Sequence, residues 1–180
     1  MNIVEPIRDK KQLKEIETIL RKNSLRDLLI FTLGTNCGLR ISDILNLDVS
    51  DVKNKNYINI VEIKTNKPKR FPINTKLKTM LDKYTKDRKC NEPLFLSIFG
   101  NRMERTQCYR IINKACRKAG VEYKVGTHTL RKTFGYHHYQ KFKDVVVLQK
   151  IFNHYSPQIT LRYIGIDQDM IDASYNNFIL

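Results

Sequence analysis

The stretch Leu25-Arg26-Asp27-Leu28-Leu29-Ile30-Phe31-Thr32-Leu33 is apolar on nearly every side of a helix. A helix of that kind has no solvent face, so it must sit in the middle of a core with other elements packed around it. Ser24 can cap it, and Gly34 and Gly38 loosen the chain near its end. A chain of 180 residues can enclose such a centre as one domain, or as one domain with an appendage. Within 10–22, Leu13, Ile16, Ile19 and Leu20 recur at helical spacing with charges between them. Arg40 to Leu47 reads as a short helix with Ile41, Ile44, Leu45 and Leu47 apolar.

The period then changes. Tyr57-Ile58-Asn59-Ile60-Val61-Glu62-Ile63 is β-rich and partly alternating. Thr65-Asn66-Lys67-Pro68 is a turn, and Lys69-Arg70-Phe71-Pro72-Ile73 returns as an edge strand, where a proline is tolerated. The expectation is a small hairpin that points two basic strands and their turn outward. Helices resume over Thr75–Lys86, with a loop at 91–101 around Leu94-Phe95-Leu96. Thr106–Lys118 follows, stopped by Gly120. Thr127 is placed to cap a helix that runs to about Lys141, and Asp144 to cap Val145–Phe152. Ser156-Pro157 fits the cap and first position of one more helix, which ends near Gly165. There is no internal repeat and no long linker. The expected class is mainly α with a small antiparallel β-sheet (α+β).

Lys and Arg number 33 against 18 Asp and Glu, a net charge of +15. Such a balance implies a polyanionic partner, nucleic acid first and an anionic membrane surface or RNA scaffold second. The charge is uneven. Residues 163–180 hold Asp167, Asp169 and Asp172 and no basic residue, which leaves +18 on residues 1–162. That final stretch also carries Ile164, Ile166, Met170, Ile171, Tyr175, Phe178, Ile179 and Leu180. Acidic and apolar, it is expected to pack on protein, its own or a neighbour's, and not on phosphates. No apolar run approaches the roughly 18 residues of a membrane span, and the N-terminus lacks the apolar region of a secretory signal. Cys37, Cys90, Cys108 and Cys116 show no C-x-x-C spacing and read as reduced thiols. These features point to the cytoplasm and, with this charge, the nucleoid.

Five places carry reactive groups: Arg40 in Cys37-Gly38-Leu39-Arg40-Ile41-Ser42-Asp43-Ile44, Lys64 at the hairpin turn, His128-Thr129-Leu130-Arg131 in a helix's first turn, His154, and Tyr163 in Thr160-Leu161-Arg162-Tyr163. The i,i+3 spacing puts His128 and Arg131 on one helix face, at an end whose free N–H groups and dipole suit an anion. Singly, each has an ordinary role. Arg40 can pair with Asp43 on a helix surface, Lys64 can be a solvated turn lysine, His128 a capping-turn histidine, His154 a core histidine and Tyr163 a core aromatic. His137 and His138 are adjacent and point about 100° apart, which does not suit a shared metal.

Together, in this order, the motifs resemble the catalytic domain of the tyrosine recombinases, or phage-type integrases. That family's signature is an arginine in G-L-R-x-S-E-L, a hairpin lysine, H-x-L-R, a His or Trp in L-G-H, and a tyrosine in T-x-x-Y. The match runs over about residues 10–166. Asp43 stands for the usual Glu, Asn153 for the Gly before His154, and Lys132 for a frequent second His. Asparagine also tolerates a left-handed backbone, so that turn can survive. The resemblance implies a recombinase catalytic domain over 1–166 and a tail, 167–180, able to dock a neighbouring protomer. Many members carry a further N-terminal helical domain that clamps the DNA. Some nine residues precede the first helix here, so a single-domain member and a fragment both stay open.

The chemistry the resemblance implies is site-specific cleavage and rejoining of double-stranded DNA. Tyr163 is the nucleophile that forms a 3′-phosphotyrosine and frees a 5′-hydroxyl. Arg40 and Arg131 hold the non-bridging oxygens, a task for planar guanidinium donors. His128 is the base or a phosphate donor, Lys64 the general acid, and His154 a supporting hydrogen-bond group. No metal, ATP or other cofactor is expected, since two guanidiniums and an amine supply the positive charge, and no paired-carboxylate site, Cys/His cluster or phosphate-binding loop is present in the sequence. Phosphate contacts are expected from Lys67, Lys69, Arg70, Arg105, Arg110, Lys114, Arg117 and Lys132, with Arg102, Lys118 and Lys141 as further candidates. Strand exchange implies a homotetramer on DNA. The alternatives are type IB topoisomerase-like relaxation, a DNA-binding regulator that has lost cleavage, and a basic RNA- or ribosome-associated protein.

Overall fold

The computed structural model describes residues 4–126 and 128–178. Thr127, the expected helix cap, and the last two tail residues lie outside the described residues. The chain begins with α1 (Lys10–Asn23), α2 (Leu25–Cys37) and α3 (Ile41–Leu45), followed by β1 (Tyr57–Val61) and β2 (Pro68–Pro72). Helices α4 (Thr75–Thr85), α5 (Arg105–Lys118), α6 (Thr129–Phe142), α7 (Val145–Phe152), α8 (Pro157–Ile164) and α9 (Ile166–Asn177) complete it. The class is mainly α with one two-stranded antiparallel sheet, as expected.

Helix α2 is the centre. Leu28 to Leu33 are all buried, and α1, α3, α4, α5 and α6 pack around it. Gly34 lets α6 approach, since a Cβ there would fall 2.7 Å from Leu130 Cδ1. Ser24 stands between α1 and α2 in extended conformation without a side-chain capping bond, so the expected cap is a backbone kink. The expected caps at Asp144 and Ser156 form, and Asn74 adds one that the sequence reading did not name. Asn74 accepts from Leu77 N, Asp144 from Val147 N and Ser156 from Ile159 N, each satisfying an otherwise orphaned donor.

The hairpin pairs Ile58 with Phe71 and Ile60 with Lys69. Strand alternation turns Ile58, Ile60 and the following Glu62 to one face, and Lys69 and Phe71 to the same face across the ladder. Ile58, Phe71 and Glu62 are buried there. The hairpin therefore covers the core, and its basic side chains are divided between two faces. The 91–101 segment has no helix. Leu94 and Phe95 are buried between single bridges, Asp48 to Pro93 and Leu96 to Arg102.

A second, smaller cluster joins Leu148, Phe152, Ile164 and Ile166 from α7, α8 and α9 to Phe134 on α6. The tail thus starts as a helix, α9, anchored at Ile166 and through Arg8 to Asp169. Beyond that anchor Met170, Ile171, Tyr175 and Phe178 are exposed. Among the described residues no helix is long and apolar enough to cross a membrane. All four cysteines are free; Cys37, Cys108 and Cys116 are buried, and burial pushes each thiol up to about 12.

Gly135 joins α6 to this second cluster. A Cβ there would lie 2.6 Å from Ile164 Cγ2 and 2.7 Å from the Phe152 ring. Gly135→Ala is expected to destabilise by about 1–3 kcal/mol, the usual cost of overpacking, read as a lower midpoint in urea unfolding. An unchanged midpoint would show that α6 and α8 are not packed this closely.

Candidate active site

The site forms where the two apolar clusters meet. Three chain reversals bring its parts there. Gly38 ends α2 with φ of +62° and lies so close to Phe134 and Phe152 that no Cβ fits. That reversal places Arg40 in extended backbone just before α3. Asn153 ends α7 with φ of +59°, so it takes the left-handed turn expected of a glycine at that place. His154 follows it. Gly165 ends α8, the helix that carries Tyr163.

Arg131 comes from the first turn of α6 and is 2% exposed. Its Nη1 donates to the Gly38 carbonyl at 2.6 Å and its Nη2 to the Phe152 carbonyl at 2.8 Å. The guanidinium carbon lies 4.4 Å from the centre of the Phe152 ring. One buried cation therefore ties the end of α2 to the end of α7. Burial is the main influence lowering its pKa.

Glu62 is 1% exposed and collects the cations. Its Oε1 lies 3.0 Å from Arg40 Nη1, 3.7 Å from Lys69 Nζ and 3.9 Å from Arg131 Nη1. Thr65 Oγ1 donates to its other oxygen at 2.8 Å. Burial alone would raise its pKa, but the Thr65 bond and the Lys69 and Arg40 charges win, and it stays low. Arg40 is therefore partnered by Glu62 and not by Asp43. The Asp43 carboxylate instead accepts from the Ile63 backbone N–H at 3.0 Å and so fixes the hairpin to α3.

Tyr163 is half-buried, and its hydroxyl lies 3.3 Å from Nδ1 of His128. Burial raises the phenol's pKa, opposed by the Arg131 and Arg40 charges. His128 is itself the cap residue of α6 and is exposed. Burial of its ring edge and the charges of Arg131, Lys64, Arg40 and Lys132 lower its pKa, so it is neutral near pH 7 and able to take a proton. The His154 ring stands 5.1 Å from the Tyr163 ring, with Nδ1 3.0 Å from Thr160 Oγ1. Desolvation, then Arg131 and Arg40, lower it to about 4. Lys64 is exposed in the turn between β1 and β2, at the rim of the site.

The expected phosphate contacts divide into two groups. Lys67, Arg70, Arg105, Arg110, Lys114, Arg117, Lys118 and Lys141 are exposed, with Arg70 over the Tyr57 ring at 3.8 Å. Three are not free surface cations. Lys69 turns inward and donates to the Ile151 carbonyl at 2.7 Å. Lys132 is 9% exposed, its Nζ 5.3 Å from the Tyr163 ring centre. Arg102 holds Asp48 and the Leu45 and Leu47 carbonyls. His137 and His138 take separate environments, one on the Ile7 carbonyl and the other between Phe134 and Phe142. Sequence reading missed Glu62. Its signal is a carboxylate in register with the inward-facing Ile58 and Ile60.

A sequence profile of the phage integrase family matches residues 8–169. The chain belongs to the phage integrase family. Its class is that of the tyrosine-type site-specific recombinases. This integrase-family chain is 48% identical over 179 residues to the "probable integrase/recombinase YoeC" of Bacillus subtilis, covering 99% of itself and 98% of that protein. It is 32% identical over 152 residues to the tyrosine recombinase XerC of Thermodesulfovibrio yellowstonii, covering 79% of itself and 50% of that relative. The fold matches the crystal structure of XerA recombinase with a TM-score of 0.76 and 22% identity, over 98% of this chain and 65% of that one. It also matches a lambda integrase dimer bound to a COC′ core site, TM-score 0.72 and 16% identity, over 93% and 49%. The integrase-family chain thus spans nearly all of the Bacillus protein and about half of the XerC and lambda integrase chains.

Because the folded pKa of His154 lies below its unfolded value near 6.5, acid charges the unfolded ring first. Its stabilising contribution is complete above about pH 6.5 and is lost as pH falls toward about 4. NMR titration of its ring is expected to show a midpoint well below 6. Between pH 6.5 and 4 the fall in unfolding free energy should be shallower in His154→Gln. A midpoint near 6.5 would place the ring in open solvent.

Proposed function

We propose that this integrase-family chain cleaves and rejoins double-stranded DNA through a covalent 3′-phosphotyrosine on Tyr163. The observation that carries the reading is the meeting of Arg40, Arg131, His128, His154 and Tyr163 at one place, from four separate segments. The phosphorus transition state is dianionic and needs neutralisation, a nucleophile and a proton for the leaving oxygen. Arg40, and the N–H groups of Arg131 not given to the Gly38 and Phe152 carbonyls, offer guanidinium donors for the non-bridging oxygens. A bound phosphate would bring these donors to bear on the reacting centre while His128 Nδ1 takes the phenolic proton, 3.3 Å away. Lys64, on its turn at the rim, donates the proton to the 5′-oxygen. His154, neutral at pH 7, donates a hydrogen bond to the phosphate or supports the phenol. The bond energy stays in the phosphotyrosine, so rejoining by a 5′-hydroxyl needs neither metal nor ATP.

The same reading places the exposed cations of the hairpin and α5 on the DNA backbone and the protein in the cytoplasm, at the nucleoid. It takes residues 1–166 as the catalytic unit. Solved relatives include a lambda integrase tetramer bound to a Holliday junction. By analogy this chain assembles as a homotetramer on DNA, and the apolar end of α9, with Met170, Ile171, Tyr175 and Phe178 exposed, docks on a neighbouring protomer.

Incubation with a nicked suicide duplex is expected to give a protein–DNA adduct on a denaturing gel, insensitive to EDTA and absent in Tyr163→Phe. Arg40→Ala should slow adduct formation by about 10²–10³, as for loss of one transition-state donor. DNA binding at a cognate site with no adduct would favour a regulator that does not cut. Deleting residues 170–180 is expected to leave single-site binding intact and to remove higher-order complexes in a gel-shift assay. Unchanged assembly would place α9 in contact with its own chain alone.

A further inference from the structure

Lys69, one of the expected DNA contacts, lies against the site outside the six reacting groups and donates to a backbone carbonyl. It enters from β2, opposite Ile60, and only 15% of its side chain is exposed. Its Nζ reaches the Ile151 carbonyl at 2.7 Å, in the last turn of α7. The next carbonyl, that of Phe152, is held by Arg131. The two residues after that are Asn153, in its left-handed turn, and His154. On its other side Lys69 stands 3.7 Å from Glu62, the carboxylate shared with Arg40 and Arg131. The negative end of the α7 dipole is thus capped by two cations that share one counter-ion.

We propose that Lys69 is a positioning residue: it clasps the hairpin that carries Lys64 to the α7 terminus that carries His154. The proposal rests on the reading of Tyr163, His154 and Lys64 as reacting groups. A hairpin free to slide would move Glu62, and with it Arg40, relative to the tyrosine. Positioning errors of about 1 Å cost up to about a hundredfold in rate.

The groups facing Lys69 are Glu62 beyond β1, Arg40 and Asp43 at α3, Arg131 on α6 and Cys37 on α2. Burial first, then the Arg131 charge, lower the amine to about 8. Above that pH the neutral amine can still donate to Ile151 but no longer attracts Glu62. An arginine there would stay charged throughout.

The test compares wild type, Lys69→Met and Lys69→Arg on the same suicide duplex. Lys69→Met is expected to slow single-turnover adduct formation about tenfold or more at pH 7, with DNA affinity and its salt dependence unchanged. Lys69→Arg should restore most of the rate, and its rate relative to wild type should rise between pH 7 and 9. If affinity falls with cleavage and the salt slope drops by about 1, Lys69 is a phosphate contact and the proposal fails. An unaltered cleavage rate in Lys69→Met also overturns it. If wild type forms no adduct at Tyr163, the underlying reading fails by itself. Amide hydrogen exchange in the free protein then decides on the clasp: faster exchange at Asn153 and His154 in Lys69→Met supports it, and unchanged exchange refutes it. Should Lys69→Met not fold, the pH-dependent ratio of Lys69→Arg to wild type carries the test, a flat ratio counting against the clasp.

Discussion

A guanidinium with 2% exposure organises this protein. Burying Arg131 costs several kcal/mol unless its donors are satisfied. Two are, by carbonyls left over at the ends of α2 and α7. Those carbonyls face the same difficulty from the other side, since the last turn of a helix has no internal partner for them. Each requirement answers the other, and the result is rigid. The arginine sits between the reversals at Gly38 and Asn153 and ties them together. Arg40 and His154 leave those two reversals, so their positions are inherited from one buried cation.

The surrounding electrostatics favour an anion. Arg40, Arg131 and Lys132 stand around Tyr163, with Lys69 behind the arginines and Lys64 near His128, against Glu62 and Asp43. Asp43 is occupied with a backbone N–H of the hairpin, and Glu62 is divided among three cations. Burial first and then the positive charge lower both histidines, and the Tyr163 phenol is pulled down by the arginines while burial pushes it up. A phosphate dianion would relieve this excess. On the proposed reading, the same cations that assemble the site also hold the substrate phosphate.

Much was legible because it depends on neighbours in sequence. The all-round apolar run at 25–33 had to be central, and it is. Caps at Asp144 and Ser156 work locally, as does the left-handed Asn153. The motif residues were legible as a set, since each stands in a short segment of distinctive composition. Other features were not. Lys69, Lys132 and Arg102 look like surface cations in a basic sequence, yet each is drawn inward by a partner 31 to 82 residues away. Glu62 reads as one more charge until the β1 alternation is followed past its end. Helix α9 was visible as an acidic apolar tail but not as a helix anchored by Ile166 and Arg8.

The amino-acid order alone settled the elements from α1 to α8 and roughly where they stop, because helix periodicity, capping and left-handed turns are short-range physics. Which cations face the Tyr163 phenol, and which of them are bound to protein, was settled only by packing. A lysine's surroundings are set by whatever the fold brings within a few ångströms, and the separation along the chain carries no trace of it. Arg40 beside Glu62, and not beside Asp43 three residues on, is the clearest case: the hairpin had to dock before that carboxylate could reach it.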